Sequence, residues 1–102
     1  MFCGRCLSET ASWYGGGEKL NEYTASGERF NPNVLTCASY AYPFGTLVRV
    51  TNLENNKGIE VRVNDRGPNK RLGRAIDLTR EAFSRIADLK QGLLQVQIEV
   101  VK

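Results

Sequence analysis

The 102-residue sequence contains no histidine. Without an imidazole there is no serine hydrolase of the usual triad and no histidine-containing metal centre. Its soft ligands are Cys3, Cys6 and Cys37, one short of a closed thiolate site, so structural zinc would need a carboxylate as well and no metal is expected. Long apolar runs are missing too: nothing approaches the roughly 18 residues that suggest a membrane-spanning helix, and no signal peptide is read in the chain. Nor is there a large excess of charge, since 14 Lys+Arg against 11 Asp+Glu leave +3, too mild to indicate nucleic acid. The length suits one domain. What is left for chemistry is carboxylates, or binding alone.

An odd number of cysteines allows at most one internal disulfide. A bridge from Cys37 to Cys3 or Cys6 would suit an oxidising compartment, and free or tail-stapling thiols are the expectation over redox chemistry, because no strand precedes Cys3 and Cys6. Arg66, Lys70, Arg71 and Arg74 are concentrated in one stretch, whose ordinary reading is a solvated basic loop.

Residues 1–10 show no periodicity and read as a tail, so the working domain is 11–102. Ala11 to Tyr14 reads as a short strand ending at Gly15, Gly16 and Gly17; no helix-opening Lys-Ser/Thr follows, so the glycines are not a nucleotide loop. Apolar and polar residues alternate from Leu47 to Leu53 and again from Ile59 to Val63, with turn residues Glu54 to Gly58 between, predicting a β-hairpin. Asn64 to Arg74 is a polar loop, the kind of segment on which chemistry sits. Ala75 to Leu78 is apolar again, Thr79 can cap a helix carrying Ala82, Phe83, Ile86 and Leu89 on one face and closing at Lys90 and Gly92, and Val96, Ile98 and Val100 alternate along a last strand. Short strands with so little helix predict a mainly β, closed or nearly closed structure.

With histidine absent, acid or base work falls to carboxylates in turns and loops: Glu28, Asp65 and Asp77. Asp65 stands at a strand end, held by a rigid element yet able to meet substrate; its ordinary alternative is to bind loop amides or Arg66. Asp77 alternates out of an apolar strand just before the helix, and a structural role at that junction is expected.

Six segments together resemble a known family: Ala11-Ser-Trp-Tyr-Gly15, Thr24-Ala-Ser-Gly-Glu-Arg-Phe30, Pro43-Phe-Gly-Thr46, Val48-Arg-Val-Thr-Asn-Leu53, Val61-Arg-Val-Asn-Asp-Arg-Gly-Pro68 and Gly73-Arg-Ala-Ile-Asp-Leu-Thr79. In this order they look like the double-psi β-barrel domain of rare lipoprotein A, over nearly the whole chain. The resemblance implies a small six-stranded double-psi β-barrel with one or two short helices, similar in fold to expansins and to the barrel of membrane-bound lytic transglycosylase A. It implies a lytic transglycosylase of the bacterial envelope, periplasmic, outer-membrane-anchored or secreted, that cleaves peptidoglycan glycan strands, some members preferring strands stripped of stem peptides. In that reaction a carboxylic acid protonates the glycosidic oxygen after N-acetylmuramic acid, and the resulting carboxylate assists attack by the sugar's own 6-hydroxyl, leaving a 1,6-anhydro end. No cofactor is implied. A monomer is expected, with lipid on an N-terminal cysteine as an option.

Carried onto this sequence, the family's acid/base Asp falls on Asp65 and the Glu of its Gly-Glu-x-Phe turn on Glu28. Ser39 stands where the family usually has a cleft histidine. The expected substrate contacts are Ser39, Tyr40, Asn64, Arg66, Trp13 and Tyr14, with Trp13 the aromatic most given to packing. The other readings are a catalytically silent glycan-binding barrel, in which Trp13 and Tyr14 or Tyr40 and Tyr42 stack on sugars, and an expansin-like module that loosens polysaccharide without cutting it.

Overall fold

A computed structural model describes residues 9–14, 23–29, 31, 33–67 and 74–101. Cys3, Cys6, the Gly15 to Gly17 triplet, Pro68, Lys70, Arg71 and Gly73 lie outside the described residues. The strands are β1 (Glu9–Tyr14), β2 (Thr36–Ala38), β3 (Leu47–Asn52), β4 (Gly58–Asp65), β5 (Ile76–Thr79) and β6 (Leu94–Val100), with a helix α1 (Arg80–Ser84) and a 3-10 turn (Leu89–Gln91) between β5 and β6. They close into a barrel in the order β1-β5-β2-β4-β3-β6. The mixed pairing fits the six-stranded barrel that the motifs imply: β1 runs parallel to β5 and β2 parallel to β4, and the other neighbours are antiparallel.

Period-two alternation builds the core. Val48, Val50, Val61, Val63, Ile76, Leu78 and Val96 are fully buried inside the barrel, joined by Phe83 and Ile86 from the helical segment. The outward positions between them carry polar side chains, among them the cross-strand pair Arg49 and Glu60 at 2.8 Å. The β3–β4 hairpin closes through Asn52 and Asn55, whose side-chain oxygens take the amides of Glu54 and Lys57, and Asn56 adopts the left-handed backbone that asparagine tolerates.

Four expectations need correction. The first strand begins at Glu9, two residues before Ala11. The polar loop opens later than Asn64, because Asn64 and Asp65 still belong to β4. β2 has no counterpart among the expected strands. The helix expected to reach Gly92 ends at Ser84: Thr79 caps it as foreseen, but Asp88 is extended (ψ 133°), accepts from the Lys90 amide and starts a separate turn, which Gly92 closes at φ 72°. Ile86 is buried all the same, from outside the helix. Among the described residues no helix is long and apolar enough to cross a membrane.

One irregularity positions the site. Cys37 pairs with Val63, but the next residue, Ala38, pairs with Asp65, so Asn64 is an extra residue in β4. Strict alternation from the buried Val61 and Val63 would send Asp65 into the barrel; the bulge turns it to the outer face shared with Ala38.

Candidate active site

The register aligns four residues across four neighbouring strands: Ser12 opposite Asp77, Asp77 opposite Ala38, and Ala38 opposite Asp65. Two half-buried carboxylates thus stand on one outer face with an alanine between them. Gly67, at φ 150° in a backbone that side chains rarely adopt, comes back over Ala38. The Tyr14 phenol is buried beside this row. Burial pushes its pKa up, and the negative charges of Asp65 and then Asp77 push it further, placing both acids within electrostatic reach of one hydroxyl.

Asp65 is held by main chain. Its Oδ1 accepts the amides of Ala25 at 2.9 Å and Arg66 at 2.8 Å, while Oδ2 has no partner among the described residues. With the Oδ1 lone pairs occupied by N–H donors, a proton carried by this carboxyl belongs on Oδ2, the oxygen left open to a ligand. The loop-amide alternative from the sequence is therefore realised, and it orients the acid.

Two loops flank it. The turn 24–28 docks through Ala25 and through the Ser26 amide on the Asn64 carbonyl, and Glu28 anchors its end with a bidentate pair to Arg62 on β4, at 2.7 and 2.9 Å. The Arg62 guanidinium, with help from the Asn64 side chain, holds the Glu28 carboxyl below the ordinary range. Glu28 is exposed, stays ionised and faces an arginine, so its geometry is that of a clamp. Asn64 is buried; its Oδ1 finds no partner.

The loop 39–45 forms the other flank. Ser39 is fully buried; its amide donates to the Asp65 carbonyl, and its Oγ takes the Ala41 amide at 3.1 Å. Arg66 turns away from Asp65: Nη1 donates to the carbonyls of Ser39 at 2.6 Å and Tyr42 at 2.7 Å, and the guanidinium lies 4.0 Å over the Phe44 ring. Its charge fixes this loop. Tyr40 and Phe44 project from the loop, 51% and 42% exposed.

The structure shows Trp13 packed against the helical segment. Its Nε1 donates to the Leu89 carbonyl at 3.1 Å and its ring tilts against Phe83, because its parity on β1 points it under the helix. Asp77 accepts from Ser12 Oγ at 2.7 Å and ties β5 to β1 just before the helix, whose cap is Thr79. Cys37 is a buried free thiol, and Cys3 and Cys6, its expected bridge partners, lie outside the described residues. Ser12, Ala38, Arg62 and Phe44 were not singled out from the sequence. Only the outward parity of Arg62 gave a signal. Among the described residues no three metal-ligating side chains come together.

A family model described as lytic transglycolase matches residues 6–98. The chain belongs to that family. Among curated lytic transglycolase relatives, it is 48% identical over 92 residues to a Nostoc protein named probable endolytic peptidoglycan transglycosylase RlpA, and 50% identical over 91 residues to an endolytic peptidoglycan transglycosylase RlpA of Rickettsia bellii. These alignments cover 89% and 87% of this chain but 24% and 40% of the relatives, so the chain spans less than half their length. Among solved structures, the Streptomyces papain inhibitor superposes with a TM-score of 0.72 at 22% identity, covering 97% of this chain and 96% of that one. A Clavibacter michiganensis expansin in complex with cellohexaose gives 0.72 at 19%, covering 94% of this chain and 50% of the expansin. At such identities the likeness speaks for the fold, and the fold of this lytic transglycolase domain is the double-psi β-barrel.

Proposed function

We propose that this barrel is a lytic transglycosylase acting on peptidoglycan glycan strands, with Asp65 as its acid and base. The observation that carries the reading is the asymmetric hold on Asp65, one oxygen fixed by two main-chain amides and the other without a partner among the described residues. Curated relatives named peptidoglycan transglycosylases support it.

Asp65 Oδ2 gives its proton to the glycosidic oxygen as the bond from that oxygen to the anomeric carbon breaks. The 6-hydroxyl of the same sugar bonds to the anomeric carbon and loses its proton to the Asp65 carboxylate. The acid is thereby restored, no water is consumed, and the product carries a 1,6-anhydro ring. Because the nucleophile belongs to the substrate, the second carboxylate of a hydrolase is not required for attack. Glu28 and Arg62 keep the Ala25 amide on Asp65. Ser39, at the family's histidine position, contributes its main chain to the wall beside Asp65, and Tyr40 with Phe44 offers ring faces to sugars. Arg66 and Asn64 hold the two flanking loops, Trp13 packs under the helix, Tyr14 stands beside the two acids, and Asp77 faces the same groove. We assign the work to the cell envelope, as a monomer, with lipid on Cys3 or Cys6 as the means of anchoring.

Incubation with purified and with peptide-stripped peptidoglycan, followed by mass spectrometry, is expected to release 1,6-anhydro ends. Asp65→Asn should abolish them while leaving the fold and glycan binding intact. Binding without anhydro products from the unmodified protein would reduce the barrel to a glycan-binding module.

A further inference from the structure

The outward row extends past Ser12. Thr10 lies two residues earlier on the same face of β1. Its Oγ1 takes a hydrogen bond from Gln95 Nε2 at 3.1 Å. Beyond it opens a cavity of about 540 Å³, within the size range of small-molecule sites, whose walls include Thr10, Leu53, Arg74, Gln91, Leu93 and Gln95.

The chemistry of these walls is specific. Arg74 is half-buried, and among the described residues no carboxylate pairs with its guanidinium. Glu54 lines the same cavity but is engaged by Gln91 Nε2 at 3.1 Å. A guanidinium partly withdrawn from water and lacking a counter-charge favours an anion, and its fork geometry matches a carboxylate. Leu53 and Leu93, 42% and 47% exposed, present apolar surface on either side. The amides of Gln91 and Gln95 add polar edges. A ligand with a carboxylate, small methyl-bearing substituents and hydroxyls complements all of these, whereas a neutral sugar would leave Arg74 without a partner.

The distance along the barrel fits a polymer. Asp65 and Ser12 are three strands apart, roughly 14 Å at ordinary strand spacing, and Thr10 lies further on. We infer that this cavity is a distal subsite for a carboxylate-bearing sugar unit of the glycan strand, with Arg74 receiving the carboxylate. The inference rests on the proposed function for the identity of the polymer. The carboxylate is supplied either by the lactyl group of a sugar stripped of its stem peptide or by the peptide itself.

The test is equilibrium binding to the non-cleaving Asp65→Asn protein of three soluble ligands: peptide-stripped strands, the same strands with carboxylates converted to amides, and strands that keep their peptides. Stripped strands should bind about tenfold more tightly than amidated ones, the worth of one charge-assisted hydrogen bond. Adding Arg74→Gln should erase that preference, and Arg74→Lys should keep part of it. Peptide-bearing strands that bind as tightly as stripped ones show that the subsite also accepts a carboxylate of the peptide; weaker binding restricts it to the lactyl group. A preference that survives Arg74→Gln overturns the subsite, as does equal binding of stripped and amidated strands. Anhydro products from the unmodified protein are scored separately: products without the preference sink only the subsite, and the preference without products sinks only the transglycosylase reading.

Discussion

The Glu28–Arg62 pair allows a sharp distinction between a carboxylate that touches substrate and one that acts through another residue. Both side chains are 44% exposed, so the pair itself contributes at most about 1 kcal/mol to stability even with bidentate geometry. Its effect on turnover should be larger. If the pair keeps the turn 24–28 against β4, its loss releases the Ala25 amide from Asp65 Oδ1, a hydrogen bond to a charged group worth about 1.5–3 kcal/mol, or roughly 10- to 100-fold in rate. Glu28→Gln and Arg62→Met should each lower anhydro-product release by that factor with only a small drop in melting temperature. The double variant should be no slower than either single one, because the second change removes a clamp that is already open. The assay is product release by mass spectrometry on all four proteins at saturating glycan, alongside thermal unfolding. Losses that multiply in the double variant would refute the positioning role and put Glu28 in direct contact with the reacting sugar.

The same pair sets an acid limit. The Glu28 carboxyl is held below its ordinary value of 4.5, so the stability it adds is complete above that value and is lost as the pH falls through the lower folded value. Wild type should therefore lose up to about 1 kcal/mol more stability than Arg62→Met between pH 5 and strong acid, as read by denaturant titration; parallel pH profiles would refute this. Cys37 is buried and its thiol is pushed up to about 12, chiefly by burial. In a Cys3→Ser/Cys6→Ser protein it should resist a thiol reagent at pH 8 until the barrel is unfolded; prompt labelling of the native protein would show that β2 opens readily.

How much of the barrel is legible in the sequence depends on whether burial leaves a period. β3, β4 and β6 alternate cleanly because one face of each meets the core and the other water, and the residues of β5 read as a short apolar run. β2 is three residues long and buried throughout, since it lies between β5 and β4 with loops above it, so Thr36-Cys-Ala38 leaves no alternation to read. The helix overran for the opposite reason. Ile86 and Leu89 continue the helical spacing of Ala82 and Phe83, but a redirected chain carries them to the core, and Asp88 was an N-cap signal inside the presumed helix.

The site shows a different limit. Motif residues identify Asp65, but which way it points follows from pairing and not from the motif. Read by alternation, Val61, Val63 and Asp65 share a face, and the acid would be interior. Only the pairing of Ala38 with Asp65 shows Asn64 to be an extra residue, and only the bulge brings Asp65 onto the face of Asp77 and Ser12. The roles of the two arginines are set the same way. Arg62 and Arg66 lie four residues apart in one motif, yet they straddle the bulge: Arg62 reaches Glu28 and holds one flanking loop, and Arg66 reaches Ser39 and Tyr42 and holds the other. Both guanidiniums are thereby committed to loop contacts. The positive charges nearest to Asp65 in sequence thus hold its surroundings, and in the proposed subsite the counter-charge comes from Arg74, with which no carboxylate among the described residues pairs.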